Sequence, residues 1–323
     1  MGTFVSVATR CALAVAIGLA GGCSQIGVLK GRLAFRDANQ SYSIQDYRAA
    51  AARYEEAIQA DPTLVTVYFY LGNSYDNQYR AAKRGDAAND ALLTKAIENY
   101  KRSAERETDP KIKRLAMQYL VSAYGPEKLN DPAQQEPVLK RMIEIDPTDT
   151  ANYFVLATVY EQNGELELAE ELLIKARDVK PGDSATYLTL ARFYNNQGQF
   201  DKTMGALHAR AAKEPNNPEA HYTIATYYWE KAYRDFTISQ ADKVRFVQQG
   251  LQAVDKAVEL KPDYHQALEY KNLLLRAQAL LEKSPARQQE LLRQARQFQE
   301  RAADIRQKQR AAESAQRTSG RGT

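Results

Sequence analysis

Residues 147–215 read PTDTANYFVLATVYEQNGELELAEELLIKARDVKPGDSATYLTLARFYNNQGQFDKTMGALHARAAKEP and contain one 34-residue pattern twice, without a gap. Each copy opens with aromatic and apolar residues three and four positions apart, a spacing that puts them on one side of a helix. In the first copy these are Tyr153, Leu156, Ala157 and Tyr160, and in the second Tyr187, Leu190, Ala191 and Tyr194. The spacing therefore predicts the same helix twice.

Each copy continues with a second helical pattern after a glycine. Gly164 and Gly198 fall where the first helix must end and where a backbone with positive φ is useful. Pro181 and Pro215 close the copies, since the residue before a proline is pushed out of the helical region. A single helical hairpin buries too little surface to be stable alone, so each copy needs neighbours.

This pattern resembles the tetratricopeptide repeat, which has large, Leu, Gly/Ala and Tyr positions on its first helix and Ala, aromatic, Ala and Pro positions on its second. The resemblance implies an all-α fold, an α-solenoid of helical hairpins wound as a right-handed superhelix with a C-terminal capping helix. Extended outward, the register predicts about six repeats and the start of a terminal hairpin over residues 33–283, a basic helix over 284–316 and a disordered tail over 317–323. Insertions at 76–91 and 229–243 fall between the two helices of their hairpins, and Tyr124–Pro137 is predicted to be the least regular loop.

The resemblance also implies a binding surface. In similar proteins the first helices line a concave groove, and the groove positions follow the first large residue of each repeat by one, five, eight and nine places. Carried over, they are Phe69, Asn73, Asp76 and Asn77; Phe154, Thr158, Glu161 and Gln162; Leu188, Arg192, Asn195 and Asn196; and Tyr222, Thr226, Trp229 and Glu230. Amides, arginine and aromatic rings together suit an extended peptide, with the lone Trp229 as its anchor. Solvated surface is the alternative for each of these residues.

Residues 1–22 have the pattern of a signal peptide. Arg10 is their only charge, and the apolar run Cys11–Ala20 is too short to span a bilayer as a helix. The run ends in small residues before Cys23, which resembles a bacterial lipobox, although Ala20 stands where that family usually has Leu. The resemblance implies lipidation of Cys23, a tether over 23–32 and, with Ser24 following the cysteine, an outer-membrane location facing the periplasm. The alternatives are secretion without a lipid and N-myristoylation.

Charge gives no reason to expect a nucleic-acid partner. Without residues 1–22, one of the 44 Lys and Arg is lost and 43 remain against 40 Asp and Glu. This near balance lacks the basic surface that nucleic-acid binding requires. Residues 284–323 are the basic exception, with nine Lys and Arg against four Asp and Glu. They predict either the solvated face of a capping helix or a handle for an acidic partner, anionic lipid or cell-wall polymer.

Motifs for catalysis or metal binding are not found in the sequence. Its three histidines, His208, His221 and His265, are far apart, and His221 occupies a core position of its repeat. We therefore expect no enzyme activity, no cofactor and no metal site. The favoured hypothesis is a lipid-anchored scaffold that captures a segment of an unidentified envelope protein. A glycan-, peptidoglycan- or small-ligand-binding accessory subunit of an envelope assembly machine is the alternative, and a hydrolase with two helix-borne carboxylates is a third class.

Overall fold

The structure, a computed structural model, describes the backbone of residues 25–319 and the side chains of 25–314. The described part contains fourteen α-helices and no β-strand, so the fold is an all-α solenoid of antiparallel helical hairpins. The contacts divide the chain into two compact units, Met1–Glu165 and Leu166–Thr323. The predicted leader, residues 1–22, and Cys23 lie outside the described residues.

The first unit contains seven α-helices within the described residues. They are α1 (25–43), α2 (Tyr47–Ala60), α3 (Thr66–Gln78), α4 (Ala87–Arg106), α5 (Pro110–Tyr124), α6 (Pro132–Ile145) and α7 (Thr150–Gln162), with a 3₁₀ turn at Ala81–Lys83. Consecutive helices pack against each other from α2 to α7. The core combines alanines at close helix contacts, such as Ala50, Ala96 and Ala116, with the fully buried rings of Tyr54 and Tyr100.

The second unit also contains seven described helices. They are α8 (Leu166–Val179), α9 (Ser184–Asn196), α10 (Phe200–Lys213), α11 (Pro218–Arg234), α12 (Gln240–Leu260), α13 (His265–Leu281) and α14 (Pro285–Ser319). Leu291 and Ala295 of α14 pack against Leu275 and Ala279 of α13. The final helix therefore covers the outer side of the last hairpin.

Helix starts follow from side chains that satisfy the first free backbone N–H groups. Asp149 accepts from Ala151 N at 3.2 Å and Asp183 from Ala185 N at 3.2 Å, so α7 and α9 begin in the same way. Gly164 and Gly198 have φ of 80° and 69°, which confirms the positive-φ positions expected between the paired helices. A side chain can adopt that conformation only with strain.

A recurrent hydrogen bond joins each central repeat to the proline that closes the repeat before it. The Tyr153 hydroxyl donates to Pro147 O at 3.0 Å, and the Tyr187 hydroxyl donates to Pro181 O at 2.9 Å. In the next repeat His221 Nε2 donates to Pro215 O at 2.9 Å. The imidazole thus replaces a phenol and makes the same bond, which gives His221 a structural role.

A second recurrent contact ties a tyrosine to a carboxylate on the preceding helix. The Tyr160 hydroxyl donates to Glu136 at 2.8 Å, and the Tyr194 hydroxyl donates to Glu170 at 2.9 Å. A lysine pairs with each carboxylate and lowers its pKa further than the tyrosine does. These ties couple neighbouring helices through partly buried charge-assisted hydrogen bonds.

The prediction of a tether over 23–32 was wrong for residues 25–32, because α1 already includes them. Gly27 and Gly31 punctuate no loop; they let α1 approach the end of α2. A Cβ atom on Gly31 would lie 2.6 Å from Asp61 Cβ, and one on Gly27 would lie 2.9 Å from Ala60 O. Glycine at these positions permits a close helix contact that a larger residue would block.

Two other boundaries also differ from expectation. The irregular loop Tyr124–Pro137 shrinks to 125–131, because α6 begins at Pro132 and includes Pro137. The tail expected from Arg317 is still helical to Ser319, and residues 320–323 lie outside the described part. Both insertions mainly lengthen helices: α4, α11 and α12 have 20, 17 and 21 residues, whereas α8 and α10 have 14 each.

Candidate functional site

The groove predicted along α3 is closed. Phe69 is 6% exposed, and its ring packs 5.6 Å from Tyr119 and 6.1 Å from Tyr100. Asn73 is also buried: it accepts from the Tyr42 hydroxyl at 2.7 Å and from Asn77 Nδ2 at 2.8 Å. Since α1 and α5 contribute these neighbours, the inner side of α3 faces protein.

Asp76 is also buried, and its carboxylate is held by protein side chains. Its two oxygens accept from Lys128 Nζ at 2.5 Å and from the Tyr100 hydroxyl at 3.2 Å. Burial, and then the Asp76 charge, raise the Tyr100 pKa far above its ordinary value. The expectation that Phe69, Asn73 and Asp76 line an open groove was therefore wrong. Asn77 is exposed, but its side-chain amide donates to both the backbone O and the Oδ1 of Asn73.

The groove positions of α7 are more accessible. Phe154, Thr158 and Glu161 are half-buried and Gln162 is exposed. The Thr158 hydroxyl donates to Phe154 O at 2.9 Å, so its donor is already used within the helix. This helix belongs to the first unit, and it presents one aromatic ring among polar neighbours.

In the second unit, α9 and α11 carry predicted positions that reach solvent. On α9, Leu188 is half-buried and Arg192, Asn195 and Asn196 are exposed. On α11, Tyr222, Thr226, Trp229 and Glu230 are all half-buried. The Thr226 hydroxyl donates to Thr223 O at 2.7 Å, which leaves the two aromatic rings as the prominent groups of this helix face.

Tyr222 and Trp229 belong to a continuous set of five rings, here called the aromatic array: Tyr222, Trp229, Tyr233, Tyr264 and Tyr270. The Trp229 ring stacks on Tyr233 at 5.0 Å with an 11° interplanar angle and meets the edge of Tyr270 at 5.5 Å. The Tyr222 ring lies 5.4 Å from Tyr270 and 5.1 Å from Tyr264. Such offset and edge contacts are the arrangements that aromatic quadrupoles favour.

One side of the aromatic array packs against the core, and the other is exposed to solvent. Tyr222, Trp229, Tyr264 and Tyr270 pack against core residues of α11, α12 and α13, among them Ala225. All four remain partly exposed, and Tyr233 is 60% exposed. Burial, followed by the neighbouring tyrosines, raises the pKa of Tyr222 to about 12. That hydroxyl therefore stays neutral at physiological pH.

A separate cleft of about 450 Å³ is formed by residues of α9, α10, α11 and the loop that follows α11, and none of the five array rings lines it. Its lining includes the α9 residue Asn195 and, from α11 and the following loop, Tyr227, Glu230, Arg234 and Phe236. Phe236 is 85% exposed, an unusual position for a large apolar ring. The structure therefore brings Asn195 and Glu230 to one cleft, whereas the predicted positions on α3 are withdrawn from solvent.

The loop that carries Phe236 is held by Asp235. Its carboxylate accepts from Lys231 Nζ at 2.8 Å, Thr237 N at 2.9 Å and the Thr237 hydroxyl at 2.6 Å. The bond from Lys231, then those from Thr237, keep the pKa of Asp235 well below its ordinary value. The 229–243 insertion thus contains an ordered turn between α11 and α12, and the Phe236 ring within that turn is exposed to solvent.

Four aromatic residues of this region were not identified from sequence as site residues: Tyr233, Phe236, Tyr264 and Tyr270. The insertion itself marked Tyr233 and Phe236, since extra aromatic residues in a surface connection require an explanation. Tyr264 and Tyr270 carried no such signal, because tyrosine is common throughout this chain, which has 20.

The described residues offer neither a metal-binding cluster nor a membrane-spanning helix. Among residues 25–319, no group of three or more His, Cys, Asp and Glu side chains is placed to hold a metal ion. Over the same range, every helix is too short or too polar to cross a bilayer. The groups the array offers are ring faces and neutral hydroxyls, which suit binding by contact and hydrogen bonding.

By sequence, the chain matches no family model and no curated protein. By structure, it is similar to the C-terminal part of a TPR repeat-containing protein from Cytophaga hutchinsonii, with a TM-score of 0.53 and 14% identity over 84% of this chain and 98% of that one. It also resembles a tetratricopeptide repeat protein from Parabacteroides merdae, with a TM-score of 0.46 and 13% identity over 83% of this chain and 99% of that one. The first of these two likenesses shows that the chain shares the helical-repeat fold of tetratricopeptide proteins.

Proposed function

We propose that this chain is a non-enzymatic scaffold that binds a polypeptide segment on the aromatic array of its second unit. The observation that carries the proposal is the partial exposure of five rings linked by successive contacts, on α11, on α13 and at Tyr264 just before α13. A folded protein normally buries such rings or disperses them, and aromatic residues are enriched among those that dominate binding energy.

The chemistry around the array favours a peptide over a charged ligand. Glu230 and Arg234 lie 3.8 Å apart, and Glu269 pairs with Arg306 at 3.1 Å. These rim charges have both signs, so they create no strong field for a polyanion or polycation. Ring faces would hold apolar or aromatic side chains, while the tyrosine hydroxyls would bond the peptide backbone.

We also propose that the protein acts in the bacterial envelope, anchored through a lipid on Cys23 and facing the periplasm from the outer membrane. The support is the sequence of residues 1–24, with its apolar run and small residues before the cysteine. Confinement to a surface raises the effective concentration of a partner there, so a weak groove contact is sufficient. Cys23→Ser is expected to release the protein from the membrane fraction, and a variant that still fractionates with membranes would remove this anchor.

Site-specific photo-crosslinking in cells tests the binding site. A photoreactive residue at position 233 is expected to capture a partner, whereas the same residue at Ile44, 73% exposed in the first unit, is the matched control. Trp229→Ala should abolish capture from position 233 while far-UV circular dichroism stays unchanged. Arg192→Ala should weaken it, because this exposed cation lies on α9, the helix that also supplies Asn195 to the cleft.

The nature of the captured partner separates the two main hypotheses. Loss of the crosslinked band on protease treatment supports a polypeptide, whereas loss only after digestion of the cell wall favours a glycan, whose sugar faces also stack on aromatic rings. Equal capture from positions 233 and 44, or full capture by Trp229→Ala, would refute binding at the array.

A further inference from the structure

Helix α1 has an exposed apolar stripe that the repeat fold does not use. Ile26, Leu29 and Leu33 are 55%, 60% and 44% exposed. At 100° per residue these three side chains lie within about 60° of one another around the helix. Gly31 and Ala38, which are buried, lie on the opposite side. The helix therefore packs through one face and presents apolar groups on the other.

Cations flank this stripe on both sides. Lys30 follows one edge and Arg32 and Arg36 follow the other, and all three are exposed. Residues 24–36 contain no Asp or Glu, and the first carboxylate is Asp37, which pairs with Arg36 at 2.8 Å. An apolar stripe with basic residues at its edges is the arrangement that lies in a membrane interface, where long side chains reach the head groups.

We propose that the outward face of α1 binds the surface of an anionic lipid bilayer. The apolar stripe would enter the boundary between head groups and acyl chains, and Lys30, Arg32 and Arg36 would contact lipid phosphates. The charge complementarity is the argument for a lipid occupant over an apolar peptide, which would not require cations on both edges. The proposal deepens the envelope location proposed above and rests on it for its biological setting.

The position of the stripe along the chain strengthens the argument. Ile26 is three residues after Cys23, and the apolar run Cys11–Ala20 precedes it. A single acyl chain gives only marginal membrane binding, so stable anchoring takes a second signal. With a lipid on Cys23, α1 is the first folded element to meet the bilayer, and its face supplies that second signal. It also fixes the side of the first unit that faces the membrane.

The test uses the full chain with Cys11→Ser and Cys23→Ser, which removes both native cysteines and any lipid. One cysteine is introduced as Leu29→Cys and labelled with a polarity-sensitive dye. The matched control is Leu280→Cys on α13, a leucine that is 80% exposed in the second unit. Vesicles of phosphatidylethanolamine with phosphatidylglycerol are compared with vesicles of phosphatidylcholine.

The dye at position 29 is expected to shift to the blue and brighten with the anionic vesicles, and the dye at 280 is expected not to respond. Adding Lys30→Glu and Arg32→Glu should weaken the response at least about 30-fold, since each cation near an anionic surface contributes about a factor of five. The phosphatidylcholine vesicles control for residues 1–22, because binding through that apolar segment alone would also occur on neutral vesicles.

The opposing results are equally specific. An unchanged dye at position 29, or a response that survives the charge reversal, refutes the lipid-binding face. A response that appears without vesicles and rises with protein concentration assigns the stripe to a second copy of the chain. Since every variant lacks Cys23, these results are independent of the lipidation test, and the crosslinking at position 233 is independent of both.

Discussion

Two glycines inside helices of the second unit provide the sharpest test of its packing. Gly205 lies in α10, and a Cβ atom built there meets nothing within 4 Å. Gly250 lies in α12, where a Cβ atom would be 2.8 Å from Leu274 Cδ2 and 3.3 Å from Tyr228 Cβ. Leu274 is fully buried and Tyr228 is 5% exposed, so neither can move aside freely.

The expected signs are opposite. Alanine is better than glycine inside a helix by about 1 kcal/mol, so Gly205→Ala should stabilise the second unit by that amount. At Gly250 the same gain is opposed by an overpacking cost of about 1–3 kcal/mol, which leaves a net loss of about 1 kcal/mol. The two variants should therefore differ by about 2 kcal/mol, although both carry the same substitution in a helix interior.

Urea unfolding followed by tryptophan fluorescence measures this difference directly. The only tryptophan, Trp229, lies in the second unit, so its emission reports on the unit that contains both glycines. The midpoint should rise for Gly205→Ala and fall for Gly250→Ala at an unchanged slope. A Gly250→Ala protein as stable as Gly205→Ala would show that α12 and α13 do not pack as closely as described.

Two further predictions concern tyrosine hydrogen bonds. Tyr160→Phe removes the donor to Glu136 and should cost about 1 kcal/mol at neutral pH. Because the folded-state pKa of Glu136 is lowered, first by Lys140 and then by Tyr160, this cost should shrink as pH falls below 4.5, as urea midpoints across pH will show. His208 Nε2 lies 3.1 Å from the Tyr228 hydroxyl, and burial lowers the imidazole pKa below 6.5. The neutral imidazole of His208 therefore stabilises the fold above pH 6.5, and this stabilisation is lost as the pH falls. His208→Gln should make the free energy of unfolding decline less steeply below pH 6.5. An unaltered decline would contradict this.

The central repeats could be predicted from sequence because their determinants are local. The spacing from Tyr187 to Gly198 in the second copy equals the spacing from Tyr153 to Gly164 in the first. The helix, the turn and the closing proline all follow from residues within one repeat. The sequence also places His221 at the repeat position that is tyrosine in the central copies, although its hydrogen bond to Pro215 O is seen only in the structure.

The outer parts could not be predicted because their determinants are distant in sequence. Asn73 is buried by Tyr42, and Asp76 by Lys128, which is 52 residues away. Nothing in the repeat register of α3 indicates either partner. The tether predicted over 23–32 is wrong for the same reason: the contact of Gly31 with Asp61, which lets α1 pack against the end of α2, is tertiary.

The candidate site was predicted in part for the same reason. Trp229 and Tyr222 follow from their positions in the repeat, since the inner side of a first helix is defined by the 34-residue register. Tyr270 and Tyr233 complete the array through packing between α11 and α13 and through an insertion that no other repeat shares. The repeat register predicts residues that recur in each repeat, whereas much of the candidate site is formed by residues that do not recur.

The contact of α14 with α13 also bears on self-assembly. A stack of repeats ends in an apolar side that could accept another copy, and a head-to-tail contact of that kind does not close, so it propagates into filaments. Here Leu291 and Ala295 occupy the side of α13 formed by Leu275 and Ala279. The last hairpin thus meets solvent through the arginines and glutamines of α14, so this apolar side of α13 is not available for a head-to-tail contact.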